Sequence, residues 1–196
     1  MSHAAIQVEN LVKVFGGRFR AVDDLSFTVE RGAIFGLLGP NGAGKTTTLR
    51  ILTTLVRPTS GRASVLGYDV ERQAGDVRRH IVVVIQEHAA ELLLSVRENL
   101  LTFARFHGLS GADVRRRADR IMEDFGLLSE ATRKVQDLSG GFRRRVQVAK
   151  TFMVDTPIVF LDEFSTGMDP ILKRSVIELL RREAGRGPRR SWSASG

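Results

Sequence analysis

The run Gly39-Pro-Asn-Gly-Ala-Gly-Lys45-Thr46 has the residue types and the spacing to hold a chain of phosphates. Gly42 and Gly44 let the backbone bend so that successive N–H groups point inward at phosphate oxygens. Lys45 adds a mobile charge for β- and γ-phosphates, and the Thr46 hydroxyl is placed to ligate Mg²⁺. A second pair of reactive side chains closes the apolar run Ile158-Val-Phe-Leu-Asp162-Glu163. Asp162 is positioned there to hold Mg²⁺ through its water shell. Glu163, turned the other way by strand alternation, can polarise an attacking water. The third candidate is Leu138-Ser139-Gly140-Gly141-Phe142, followed by Arg143-Arg-Arg. Ser139 is a natural N-cap, and the two glycines expose backbone N–H groups. The local residues leave two readings open, an anion site at a helix start or simply a capped helix.

Elements must be found to position these groups. Ile6–Phe15 and Ala21–Val29 alternate apolar and polar residues and predict two strands of a half-exposed antiparallel sheet. Ala33–Leu38 is a continuous apolar run suited to a buried strand feeding the phosphate loop, and a helix should run from Lys45 to about Leu55, with Leu49, Leu52 and Leu55 inward. Short strands follow at Ala63–Leu66 and Ile81–Ile85. From Glu87 to Leu138 the pattern turns helical, with Val96–His107 and Ala112–Phe125 as helices. In the second of these, Val114, Ala118, Ile121, Met122 and Phe125 make one apolar stripe. Helix Phe142–Met153, strand Ile158–Leu161 and helix Ile171–Leu180 return to the α/β core.

Composition narrows the classes. A chain of 196 residues, 42% hydrophobic and 27% charged, fits one soluble globular domain. Cysteine is absent, which excludes disulfides and cysteine-ligated clusters, and the four histidines show no metal-ligand spacing. No apolar run approaches the ~18 residues of a bilayer span, and Met1–Asn10 has no leader pattern, so a cytoplasmic location is expected. The net charge of +8 is scattered over Arg115–Arg117, Arg143–Arg145 and Arg189–Arg190. Separated clusters of this kind read as a solvated surface rather than a nucleic-acid footprint.

Together, the phosphate loop, the Leu-Ser-Gly-Gly turn and the Asp162-Glu163 strand followed by Ser165-Thr-Gly-Met-Asp169 resemble the ATP-binding subunits of ABC transporters. The resemblance runs from about Ile6 to Leu180. Val96-Arg-Glu-Asn-Leu100 and Phe103-Ala-Arg-Phe-His-Gly108 are most similar to drug and polysaccharide exporters. The resemblance implies an α/β fold: a P-loop NTPase core with an N-terminal antiparallel β subdomain and an inserted α-helical subdomain at about 87–138. It implies that Gly39, Asn41, Gly42, Gly44, Lys45, Thr46 and Thr47 bind the triphosphate of ATP and that Phe15 stacks on adenine. Thr46, Gln86 and Asp162 would hold Mg²⁺. Glu163 would be the general base, with Gln86 touching the attacking water. Ser139, Gly140 and Gly141 would cap ATP held by a second copy, with Asp169 at the seam of a head-to-tail homodimer. The remaining partner would be a separate transmembrane permease, docked on the helical insertion and placing the chain at the cytoplasmic face of the membrane. No nucleic-acid partner is expected.

Three departures qualify the resemblance. Phe142 stands where the family has glutamine, and Phe164 where it has proline. After Leu180 the family continues with a buried mid-sheet strand and a histidine that bonds the γ-phosphate, whereas here no histidine follows His107. The sequence therefore predicts an ATPase domain over 1–184, a disordered or aberrant tail over 185–196, and a truncated or frame-shifted family member whose sheet lacks a central strand. Two alternative readings follow: a truncated ABC ATPase that binds ATP but hydrolyses it poorly, and a nucleic-acid-linked ABC ATPase. Against the second, only 99 positions separate Gly39 from Leu138, too few for a long coiled coil.

Overall fold

The computed structural model describes residues 4–84, 91–162, 170, 173, 174, 177, 178, 181 and 191–195. The fold is mixed α/β and divides into two compact units.

The first unit holds both sheets. Alternation in the opening residues produces β1 (Ala4–Phe15) and β2 (Phe19–Glu30), paired antiparallel and burying Ile6, Val8, Leu11, Val22 and Val29. β4 (Ser60–Val65) adds to the other side of β1, and β5 (Tyr68–Asp69) to β4, giving the order β2-β1-β4-β5. β1 is kinked at Asn10, which takes a φ of 45° and donates from its backbone to Ser26 Oγ and from its amide to Asp24 Oδ1, each at 2.8 Å. Gly61 of β4 passes so close to this kink that a Cβ would lie 2.2 Å from the Asn10 carbonyl oxygen.

The second sheet contains β3 (Ile34–Leu37), β6 (Ile81–Val84), β7 (Ile158–Asp162) and β8 (Ser191–Ser195), in the order β3-β8-β7-β6. β8 runs parallel to both β3 and β7. Helices α1 (Lys45–Leu52) and α2 (Ala74–Arg79) belong to this unit, and Leu49, Ile51, Val77, Ile81, Ile158 and Phe160 share a core with the first sheet.

Three expectations are corrected here. The stretch 185–196 is not a disordered tail throughout: Ser191–Ser195 is a strand, and it fills the mid-sheet position expected to be missing. A strand flanked on both sides is held by main-chain hydrogen bonds, which need no apolar side chains. Leaving that position open would strand peptide groups at ~1–3 kcal/mol each where buried. β3 is not a fully buried strand, since Ile34 is 42% exposed. Among the described residues β3 has a neighbour on the β8 side only, and an edge strand has fewer flanking side chains to cover it. Finally, α1 stops at Leu52: Thr54 turns the chain at a φ of 66°, leaving Leu55 59% exposed rather than inward.

Over 91–155 the second unit is helical: α3 (Val96–Phe106), α4 (Ala112–Asp124), α5 (Gly140–Thr151), and short 3-10 turns at Leu128–Glu130 and Val135–Asp137. The α4 stripe holds at Ala118, Ile121, Met122 and Phe125, which are buried, with the Phe125 ring edge-on to Phe152 at 5.2 Å, whereas Val114, in the first turn, is only half-buried. Ser95 and Glu98 form a reciprocal capping box that starts α3. Among the described residues, no helix is long and apolar enough to cross a membrane.

Candidate functional site: a phosphate loop and a capped glycine turn

The phosphate loop leaves β3 two residues after Leu37 and enters α1 at Lys45. Ala43 N–H donates to the Pro40 carbonyl at 3.2 Å and closes a tight turn. Gly42 and Gly44 take φ values of +83° and +81°. Gly44, the N-cap of α1, also sits against β2, where a Cβ would lie 2.2 Å from the Ala21 carbonyl oxygen. The first helical N–H groups of α1 have no intrahelical acceptor, and no acidic side chain stands in that turn. Lys45 is buried, and its Nζ donates to the Gly39 and Pro40 carbonyls at 2.7 and 3.0 Å. The ammonium is thus carried at the loop's own opening. Thr46 and Thr47 are half-buried and Asn41 is exposed. Backbone donors, a helix start and a lysine are thus brought together, groups of the kind that can hold a polyphosphate anion.

Asp162 ends β7, level in the sheet with Ser195 of β8, which is in turn level with Leu37 of β3. The backbone of Asp162 therefore lies at the same strand ends from which the phosphate loop departs. Glu163, Gln86 and Asp169 lie outside the described residues. Phe15 is 42% exposed near the β1–β2 turn, with Lys13 Nζ 4.8 Å from its ring centroid.

In the second unit, Ser139 caps α5, its Oγ accepting from Phe142 N–H at 3.4 Å. α5 begins at Gly140, two residues before the expected start, so both glycines lie in its first turn. Arg143 braces the approach, donating from Nε to Leu138 O and from Nη2 to Gln136 O at 2.9 and 2.7 Å. Phe142 has a local function, since the Arg145 guanidinium lies over its ring at 4.7 Å.

Sequence reasoning missed two buried polar residues here. Asn99 accepts from Glu91 N–H at 2.8 Å and donates to the Glu91, Leu94 and Ser95 carbonyls, so it fixes the segment entering α3. Lys150 is buried with its ammonium 5.2 Å from the Phe103 ring centroid, and burial holds its pKa below the ordinary lysine value. Neither stands out in the sequence, since Asn99 follows Arg97-Glu98 and Lys150 precedes Thr151.

The ABC transporter family model matches residues 22–166. Over 177 residues the chain is 44% identical to the doxorubicin resistance ATP-binding protein DrrA of Mycobacterium tuberculosis, covering 90% of this chain and 54% of that protein. It is 41% identical to the Nod factor export ATP-binding protein I of Cupriavidus metallidurans, covering 91% of this chain and 58% of that one. The chain thus spans about half the length of the curated relatives it matches. A solved ATP-binding subunit of an ABC transporter superposes with a TM-score of 0.83 at 26% identity, covering 97% of this chain and 79% of that one. A dimeric ATP-binding cassette solved with ADP and phosphate superposes at 0.84 and 24% identity, covering 97% of this chain and 87% of that one, and so supports the fold.

Proposed function

Because the chain belongs to the ABC transporter family, we propose that it is the ATP-binding and ATP-hydrolysing motor subunit of an exporter, driving a separate membrane permease. The observation that carries this reading is the phosphate loop: two glycines at positive φ, a helix start, and Lys45 held at the opening by two carbonyls. The export direction is supported by relatives named for drug resistance and Nod factor export.

In this reading the loop amides receive the β- and γ-phosphates, and Lys45 Nζ exchanges the Gly39 and Pro40 carbonyls for phosphate oxygens. Asn41, Thr47 and the remaining loop residues complete the cradle, and Phe15 offers a ring to adenine. Among the described residues no trio of His, Asp or Glu gathers to hold a metal. A site that relied on one hydroxyl, one carboxylate and the nucleotide's own oxygens would need no such trio. Thr46, whose hydroxyl makes no hydrogen bond among the described residues, and Asp162, with Gln86, fit Mg²⁺ as hard oxygen donors. When bound, Mg²⁺ neutralises charge on the phosphates. Glu163 would accept a proton from the attacking water, and Gln86 would orient that water. Ser139, Gly140 and Gly141 of a second copy would cap the γ-phosphate, with Asp169 at the seam of a head-to-tail homodimer. The assembly would sit at the cytoplasmic face of the membrane through its permease, without a nucleic-acid partner.

Equilibrium binding of ATP by Lys45→Ala tests the proposal: affinity should fall sharply, and unchanged affinity overturns it. Phosphate release from the unmodified protein, alone and with permease-containing membranes, tests the hydrolysis and its coupling to a permease.

A further inference from the structure

Lys13 has no task in the ATP reading above, although it is held between two segments that the reading uses. Its ammonium lies 4.8 Å from the centroid of the Phe15 ring and donates to the Arg57 carbonyl at 2.8 Å. Lys13 and Phe15 are two apart on β1 and so share one face of the strand. Arg57 belongs to the segment that leaves α1, the helix opened by the phosphate loop. That segment is fastened to β1 on either side of Lys13. Thr59 N–H donates to the Val12 carbonyl at 2.8 Å, and Val14 N–H donates to Thr59 Oγ1 at 2.9 Å. Lys13 is half-buried in this arrangement, whereas Phe15 is 42% exposed. We propose that Lys13 is a positioning residue of the nucleobase subsite, holding one face of the Phe15 ring so that the other is presented to adenine. The inference rests on the ATP-site reading above.

Distances across the sheet support it. Phe15 is level with Phe19 of β2, and Ala21, two residues further on, meets the phosphate loop at Gly44. One strand spacing and two residues of rise put the backbone of Phe15 about 8 Å from that of Ala21. A nucleotide reaches that far between its base and its phosphates, so the ring and the loop can serve one ligand. A phenylalanine at a strand end has several rotamers open to it. Only the fraction turned toward the base binds it, and apparent affinity scales with that fraction. An ammonium is attracted to the negative face of the ring. Because this ammonium is tethered to Arg57, the ring must come to it, and one orientation is selected.

Calorimetric titration with ATP and with inorganic tripolyphosphate, which has no base, is the test, both in the presence of Mg²⁺. Lys13→Met should weaken ATP binding by about 2–5-fold, the equilibrium equivalent of an exposed cation–ring contact. Tripolyphosphate binding should be unchanged. Lys13→Arg, which keeps a cation for the ring and a donor for the carbonyl, should restore most of the ATP affinity. In a Phe15→Ala background, Lys13→Met should have no further effect on ATP. Equal loss for both ligands means a general charge or structural role and overturns the proposal. Tighter ATP binding also overturns it, since the ammonium would then occupy the face that the base needs. Should Lys13→Met fail to fold, Lys13→Gln, which keeps a donor and loses the charge, is judged by the same outcomes. If Phe15→Ala weakens ATP alone while Lys13→Met changes neither ligand, the proposal falls and the ATP site stands. If the unmodified protein binds no ATP, the site reading itself falls and takes the proposal with it.

Discussion

Gly42 and Gly44 have nearly the same backbone conformation but different surroundings, and comparing them isolates what the phosphate loop owes to β2. Alanine at either position must adopt a φ near +80°, at a cost of roughly 1–2 kcal/mol. At Gly42 the added Cβ meets nothing within 4 Å, so the cost should stop there. At Gly44 it would lie 2.2 Å from the Ala21 carbonyl oxygen and 3.3 Å from Val22 Cγ2. Relieving that overlap means moving the loop off the sheet by about 1 Å, and overpacking of this kind typically costs ~1–3 kcal/mol. Gly44→Ala should therefore lose about 2–5 kcal/mol. A chain of this size shifts by roughly 2–4 °C per kcal/mol. The expected fall in Tm is then about 4–20 °C for Gly44→Ala and about 2–8 °C for Gly42→Ala. Scanning fluorimetry gives the comparison, and titration with a fluorescent ATP analogue shows whether the displaced loop also loses its ligand. Equal destabilisation by both substitutions would refute the reasoning, since it would mean that the contact with Ala21 does not seat the loop.

Asn99→Leu removes the side chain that serves Glu91, Leu94 and Ser95 and leaves buried backbone groups unpaired. A loss of about 2–3 kcal/mol is expected in urea unfolding with an unchanged slope. Lys150→Met should stabilise the protein near neutral pH, because burial lowers the lysine pKa and the unfolded chain binds that proton more tightly. The unmodified protein regains stability as pH rises from the lowered folded value toward 10.5, so the advantage of the methionine variant should shrink across that window. Denaturant midpoints at neutral and alkaline pH check both the sign and the trend.

Local chemistry made the phosphate loop legible in the sequence. Its glycines, lysine and threonine are consecutive, and the strand before them and helix after them carry their own patterns. The α4 stripe and the Ser139 cap were legible for the same reason, since a helix declares its buried face within a few turns. The failures share a different cause. β8 reads Ser-Trp-Ser-Ala-Ser, and nothing in those residues announces a central strand, because its place depends on hydrogen bonds to segments far away in sequence. β5 and α2 span two and six residues, too short for periodicity to register. Helical spacing puts Leu55 on the inward face, but the chain leaves the helix at Thr54, a turn with no glycine to mark it. The stacking of Arg145 on Phe142 shows how a departure from a family pattern can acquire a new contact that the pattern would not suggest.

The order of strands also governs how this sheet can assemble. Ile34 and its β8 partner Trp192 are 158 positions apart, whereas Ile158 and its partner Ser191 are 33 apart. Closing so long a loop is slow, and a chain emerging from the ribosome presents β3 and β7 well before the segment that belongs between them. Until then both carry open edges, each a template for another molecule's strand. Refolding yield should accordingly fall as protein concentration rises, with the nascent sheet most vulnerable to self-association during the interval before its middle is laid in.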